Sequence, residues 1–157
     1  MQVLSPSGGK EVVSSSRLLI VVDDAYLRAT LRQQLLVEGF SNVFEVGVVA
    51  DLDNVLNHAN PDLILLNIQM PDGNGINVCQ RLRRNGFAKP IVMLTAKGAE
   101  GDIVLGLEAG ANDYITKPLR LGKLIARIRT QLRQFRVSDD AQFELANISF
   151  VPANKIP

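Results

Sequence analysis

The chain has 157 residues, a length that suits one domain with tails. Apolar residues make up 46%, enough for a packed core, and 17 basic against 16 acidic residues exclude a dominant nucleic-acid or membrane charge signature in the bulk count. A lone cysteine, Cys79, excludes an internal disulfide and fits a reducing compartment, and no apolar run approaches membrane-spanning length.

Residues 1–16, "MQVLSPSGGKEVVSSS", have one early Lys and no long apolar block. They make a poor secretory signal and read as a flexible lead. "RLLIVVDD" (Arg17–Asp24) is a continuous apolar run ending in two acids, the pattern of a strand buried on both faces. "AYLRATLRQQLLVEGF" follows as a helix, with Leu27, Leu31, Leu35 and Leu36 at helical spacing and Gly39 as its stop. "NVFEVGVV" is the second strand. "DLDNVLNHA" is a short helix with Asp51 as its expected cap, broken by Pro61. "LILLN" is the third and most apolar strand. "GINVCQRLRRNG" is the third helix, with Ile76, Val78, Cys79 and Leu82 turned mainly inward. "PIVMLTA" is the fourth strand, and "EGDIVLGLEAGA", containing Gly106, the fourth helix. "DYITKP" is a short fifth strand ended by Pro118. "RLGKLIARIRTQLRQF" is a long fifth helix whose stripe is Leu121, Leu124, Ile125, Ile128 and Leu132.

Five strand–helix units in alternation predict an α/β fold with a parallel sheet covered on both faces. In such sheets, sites form at the carboxyl ends of the strands. Asp23 and Asp24 end the first strand, Asn67 the third, Thr95 the fourth and Lys117 the fifth. Singly, each has an ordinary explanation: paired acids cap helices, and strand-end lysines are solvated. Together, at successive strand ends, they describe a site. Adjacent carboxylates suit a hard divalent cation such as Mg²⁺. A further carboxylate there would attack phosphorus and form an acyl phosphate. A lysine supplies a point charge to phosphate, and a Thr hydroxyl hydrogen-bonds a phosphoryl oxygen.

The blocks "LLIVVDD", "DLILLNIQMPDGNG", "PIVMLTA" and "GANDYITKP" occur in the order and spacing of a bacterial two-component response regulator receiver domain. From Arg17 to about Phe135 the chain resembles that family. The resemblance implies a flavodoxin-like, doubly wound (βα)5 sheet in the order 2-1-3-4-5, in a cytoplasmic protein. Carried over by position, Asp24 is a direct Mg²⁺ ligand, Asp23 a ligand mostly through water, and the Gln69 carbonyl the third metal contact. Thr95 and Lys117 bind the phosphoryl group, and Tyr114 is the aromatic switch that moves with Thr95. Ala96 leaves the site open, and Pro118 follows Lys117 through a cis bond.

Asn67 departs from this pattern, because it stands where the family carries its phospho-accepting Asp. An amide is no carboxylate nucleophile, so phosphotransfer from a sensor histidine kinase to this position is expected to fail. Mg²⁺ binding is expected to weaken. Losing one of three clustered carboxylates relieves repulsion of about 1 kcal/mol, which predicts a form stable without metal. Asn67 reads either as an Asp→Asn change that holds the inactive state or as a natural pseudo-receiver acting without phosphate. The retained Asp23, Asp24, Thr95, Lys117 and Tyr114 favour the first. A third reading, an Mg²⁺-dependent phosphatase, lacks a nucleophile or general base beside the acid pair, so a switch rather than a conventional enzyme is expected.

The run from Gly110 to Phe135 resembles the winged-helix transcription-factor subfamily (OmpR/PhoB-like), in which the fourth helix, fifth strand and fifth helix form a symmetric dimer face. Glu108, Asp113, Arg127 and Arg129 match charged positions of that face. Lys123 stands for a usual glutamate and Ile103 for a usual basic residue, which removes one expected salt bridge. Residues 17–136 are thus expected to be the receiver. Residues 137–157 are read as a linker followed by the opening strands of a truncated or vestigial output domain, with Phe143/Leu145 and Ile148/Phe150 as two alternating pairs. DNA contact is expected only through a C-terminal domain that this stretch is too short to supply. His58 and Cys79 carry no functional expectation.

Overall fold

The structure, a computed structural model, describes residues 15–96 and 99–155, with side chains described through residue 141. The expected lead over residues 1–14 lies outside the described residues. Five parallel strands form one sheet: β1 (Arg17–Val21), β2 (Asn42–Val46), β3 (Leu63–Asn67), β4 (Ile91–Thr95) and β5 (Asp113–Thr116). Their spatial order is β2-β1-β3-β4-β5, the expected flavodoxin-like topology. The crossovers carry α1 (Ala25–Val37), α2 (Leu52–Ala59), α3 (Gly75–Arg84) and α4 (Glu100–Ala109), and α5 (Leu121–Lys155) closes the chain.

The sheet explains why its strands are continuous apolar runs. Leu18, Ile20, Val22, Leu63, Leu65, Val92 and Leu94 face one layer with Leu31 and Leu35 of α1 and Leu124, Ile125, Ile128 and Leu132 of α5. The alternate residues Leu19, Val21, Ile64, Leu66, Ile91 and Met93 face the other layer with Leu52, Val78, Cys79 and Leu82. With both faces covered, no position of the central strands β1, β3 and β4 is free to be polar until the strand ends, whereas edge strand β2 carries the partly exposed Glu45. Each fully buried Leu, Ile or Val contributes roughly 1.5–3 kcal/mol.

Several local expectations hold and three change. Gly39 follows α1 with φ 103°, and the Phe40 N–H donates to the Leu35 carbonyl at 3.0 Å, ending the helix as read. Leu36 is 42% exposed and lies outside the core, because the inward face of α1 is set by Leu31 and Leu35. Asp51 makes no side-chain cap for α2. The chain instead enters through a short 3₁₀ turn, Val49–Asp51, whose first two N–H groups, of Val49 and Ala50, donate to Asp72.

The third change is the tail. The expected linker and strand pairs beyond Phe135 are absent, and α5 runs on to Lys155. The alternation there spans only two pairs, and Leu145 and Ile148 also stand three apart, so the pattern does not select a strand. A helix already formed extends by one hydrogen bond per residue without a second nucleation cost. No helix of the described residues is long and apolar enough to cross a membrane.

Candidate functional site

The strand-end residues converge at the carboxyl edge of the sheet. Asn67 is level with Leu94, and Thr95 with Thr116, in the parallel register. The Lys117 N–H donates to the Thr95 carbonyl at 2.8 Å, and Lys117–Pro118 is cis, as the resemblance implied. A close approach behind the site fixes Gly75: a Cβ there would sit 2.5 Å from the Asn67 carbonyl oxygen.

Asn67 is 4% exposed. Its Nδ2 donates to Asp23 Oδ1 at 3.0 Å and to the Gln69 carbonyl at 2.9 Å. Two hydrogens meet two acceptors, so the amide is oriented by its network with its nitrogen toward both oxygens.

The acid pair does not act as a pair. Asp23 faces Asn67, but Asp24 turns to α1, where its Oδ1 accepts the Leu27 N–H at 3.0 Å as the helix N-cap. A carboxylate at that place satisfies an orphan N–H and complements the macrodipole. Asp24, expected as a direct metal ligand, is engaged as this helix cap. On β1, where Val21 pairs with Leu66, the residue level with Asn67 and on the same face is Val22, fully buried and apolar.

Thr95 is 2% exposed, and its Oγ1 is buried with no hydrogen-bond partner among the described residues. Lys117 is half-buried and makes no side-chain hydrogen bond or ion pair among them. A cleft of about 20 Å³ lies between Asn67, Gln69, Thr95, Ala96, Asp102 and Lys117, space for one water-sized group. Tyr114, the expected switch, is 37% exposed.

Three residues escaped the sequence reading. Asp102, in the first turn of α4, lines the cleft with Lys117. Its signal, an acid seven places after Thr95, reads equally as helix N-terminal charge. Val22 looked like the last residue of an apolar run, and only the register shows what it stands beside. Asp72 in the β3–α3 loop accepts N–H groups from Val49 at 2.8 Å and Ala50 at 3.0 Å. The bond from Val49 foremost holds its carboxyl below the ordinary carboxylate value, opposed by desolvation and helped by the weaker bond from Ala50.

The residues expected on a dimer face make the following contacts within the chain. Arg127 donates to both oxygens of Asp113, at 2.6 and 2.8 Å, within one chain. Glu108 and Lys123 are exposed with no side-chain partner among the described residues, and Ile103 is half-buried. Arg129, expected on this face, has its partners elsewhere. It bonds the Glu38 carboxylate at 2.9 Å and lies 5.9 Å from the Phe40 ring centre, at the end of α1. Between Ile103 and Tyr114, α4 exposes Val104, Leu105 and Leu107.

A divalent cation fits this edge poorly. Among the described residues, no group of three or more His, Cys, Asp or Glu side chains is placed to hold one. Two carboxylates adjoin the site, Asp23 and Asp102, and the Asp23 Oδ1 and the Gln69 carbonyl both accept from the Asn67 amide.

Comparison with known proteins agrees with this architecture. Residues 18–129 match the response regulator receiver domain family. The DNA-binding response regulator MtrA of Mycolicibacterium paratuberculosis is 42% identical over 144 residues, covering 89% of this chain and 62% of MtrA. The alkaline phosphatase synthesis transcriptional regulatory protein SphR of Synechococcus elongatus is 42% identical over 132 residues, covering 76% of this chain and 50% of its own. The chain thus spans between half and two thirds of the length of these curated relatives. The crystal structure of the receiver domain of the TMAO respiratory system response regulator TorR superposes with a TM-score of 0.71 at 34% identity, over 76% of this chain and 98% of that one. The fold, the strand-end residues and these matches agree: the chain belongs to the response regulator receiver domain family.

Proposed function

We propose that this chain is the receiver part of a DNA-binding response regulator in two-component signalling whose acceptor position takes no phosphoryl group. The observation that carries this reading is Asn67, a buried amide where the reaction needs a carboxylate, with its nitrogen toward Asp23 and Gln69. Receiver domains generally hold Mg²⁺ at this edge. Here the cation site is weakened, because Asp24 is engaged as a helix cap and Val22 is apolar. The module is a switch without turnover of its own. Its partners are a sensor histidine kinase, a second copy of the chain through α4, β5 and α5, and DNA through an output domain. Its place is the cytoplasm.

Between the two origins of Asn67, Val22 and Asp24 favour the natural pseudo-receiver. A single Asp→Asn change would leave the rest of the site intact, whereas here Asp24 is engaged as a helix cap and the residue level with Asn67 on β1 is apolar. The test is intact mass after treatment with acetyl phosphate and Mg²⁺. The parent chain stays unlabelled, and Asn67→Asp gains a phosphoryl group slowly. Adding Val22→Asp to that background raises labelling about tenfold, the equivalent of one charge–charge interaction of ~1.4 kcal/mol. A labelled parent chain ends the blocked-acceptor reading. Full labelling of Asn67→Asp, with no gain from Val22→Asp, supports the single-change origin.

A further inference from the structure

We propose that the Asn67 side-chain amide takes the place of the divalent cation, bridging internally the oxygens that a metal would bridge. This rests on the receiver reading above and extends it from a lost reaction to a replaced ligand. The groups here that would hold a cation are the Asp23 carboxylate, on the β1–α1 loop, and the Gln69 carbonyl, on the β3–α3 loop. The two N–H groups of Asn67 join them, reaching Asp23 Oδ1 at 3.0 Å and the Gln69 carbonyl at 2.9 Å. The bond to Asp23 is charge-assisted, because its acceptor is an ionised carboxylate.

The donor end of the bridge is buried: Asn67 is 4% exposed, so water competes poorly for its N–H groups, while the acceptor residues Asp23 and Gln69 are exposed. The backbone holds the bridge in register: the Ile68 N–H donates to the Leu94 carbonyl at 3.0 Å, and the Gly75 N–H to the Ile68 carbonyl at 2.6 Å. The loop carrying Gln69 is therefore fixed on both sides of its carbonyl. A carboxylate at position 67 has no hydrogen to offer either oxygen and adds a charge beside Asp23. The edge then needs an external cation to hold the same shape. With the amide, the two loops keep one arrangement whatever the Mg²⁺ concentration, and the receiver is held in a single metal-independent state.

Thermal unfolding and paramagnetic NMR test this on the whole chain. The parent chain shows the same Tm in millimolar MgCl₂ as in NaCl of equal ionic strength. Asn67→Asp unfolds about 3–6 °C lower without Mg²⁺ and regains that difference when Mg²⁺ is added. Mn²⁺, added as a probe, leaves the amide resonances of Asp23, Asn67 and Gln69 unbroadened in the parent chain. Saturable Mg²⁺ stabilisation of the parent, site-specific Mn²⁺ broadening, or an Asn67→Asp chain as stable as the parent without metal would each overturn the proposal. Should Asn67→Asp not fold, the Mn²⁺ measurement on the parent decides alone. Failure here is distinct from failure of the blocked-acceptor reading, which is decided by mass labelling and not by metal binding.

Discussion

The carboxylate of Asp72 accepts N–H groups from Val49 and Ala50 at 2.8 and 3.0 Å, so one side chain ties the β3–α3 loop to the turn that opens α2. Its carboxyl is held below the ordinary value by those bonds, that from Val49 foremost. A carboxylate with a depressed folded pKa stabilises the native state above its unfolded pKa of ~3.9, and that stabilisation fades as pH falls through the folded value. Asp72→Asn should therefore lower Tm at neutral pH, and its deficit should shrink on acidification as the parent loses the same interaction. A Tm–pH profile of both chains checks this, and a deficit independent of pH in the acid range would assign the effect to something other than the charge. The same kind of reasoning separates Asp23 from Asp24. Two adjacent acids look equivalent in sequence, yet helix capping claims one and the amide claims the other.

At the scale of elements, α5 makes the sharpest distinction. Arg127 and Arg129 are two residues apart, so on a helix they point about 200° from each other. Arg127 grips Asp113 of β5, while Arg129 grips Glu38 at the end of α1. Arg129→Ala should therefore cost about 0.5–1 kcal/mol of stability, the scale of a partly exposed ion pair, and leave self-association unchanged. Leu107→Asp, on the exposed apolar side of α4, should do the reverse, weakening self-association with Tm nearly constant. Sedimentation and thermal unfolding of both variants check the pair, and loss of self-association in Arg129→Ala would return that residue to the dimer face. The strands and the inward stripes of α3 and α5 were legible in sequence because burial on both faces leaves uninterrupted apolar runs such as "LILLN". Side-chain direction at the site was less legible. The partner of Asp24 is a backbone N–H three residues on, and the neighbour of Val22 is a residue 45 places away. Neither pairing leaves a mark on composition or period.

For the whole molecule, the two apolar layers end before the chain does. The last α5 residue in the core is Leu132, and the helix continues to Lys155. Residues 137–155 at 1.5 Å per residue form an arm of roughly 28 Å. The strand expectation failed there because a short alternating run carries little information when a formed helix already precedes it. The helicity of this arm depends on propagation from the receiver end. Removing residues 137–157 should then leave Tm within about 2 °C, since no described core side chain is lost. The same truncation should lower the far-UV helical signal in proportion to the residues removed. A large drop in Tm would mean that the arm packs on the receiver. An unchanged helical signal would mean that residues 137–155 are not helical in solution, leaving the sequence-based strand pairs as the better description of that segment.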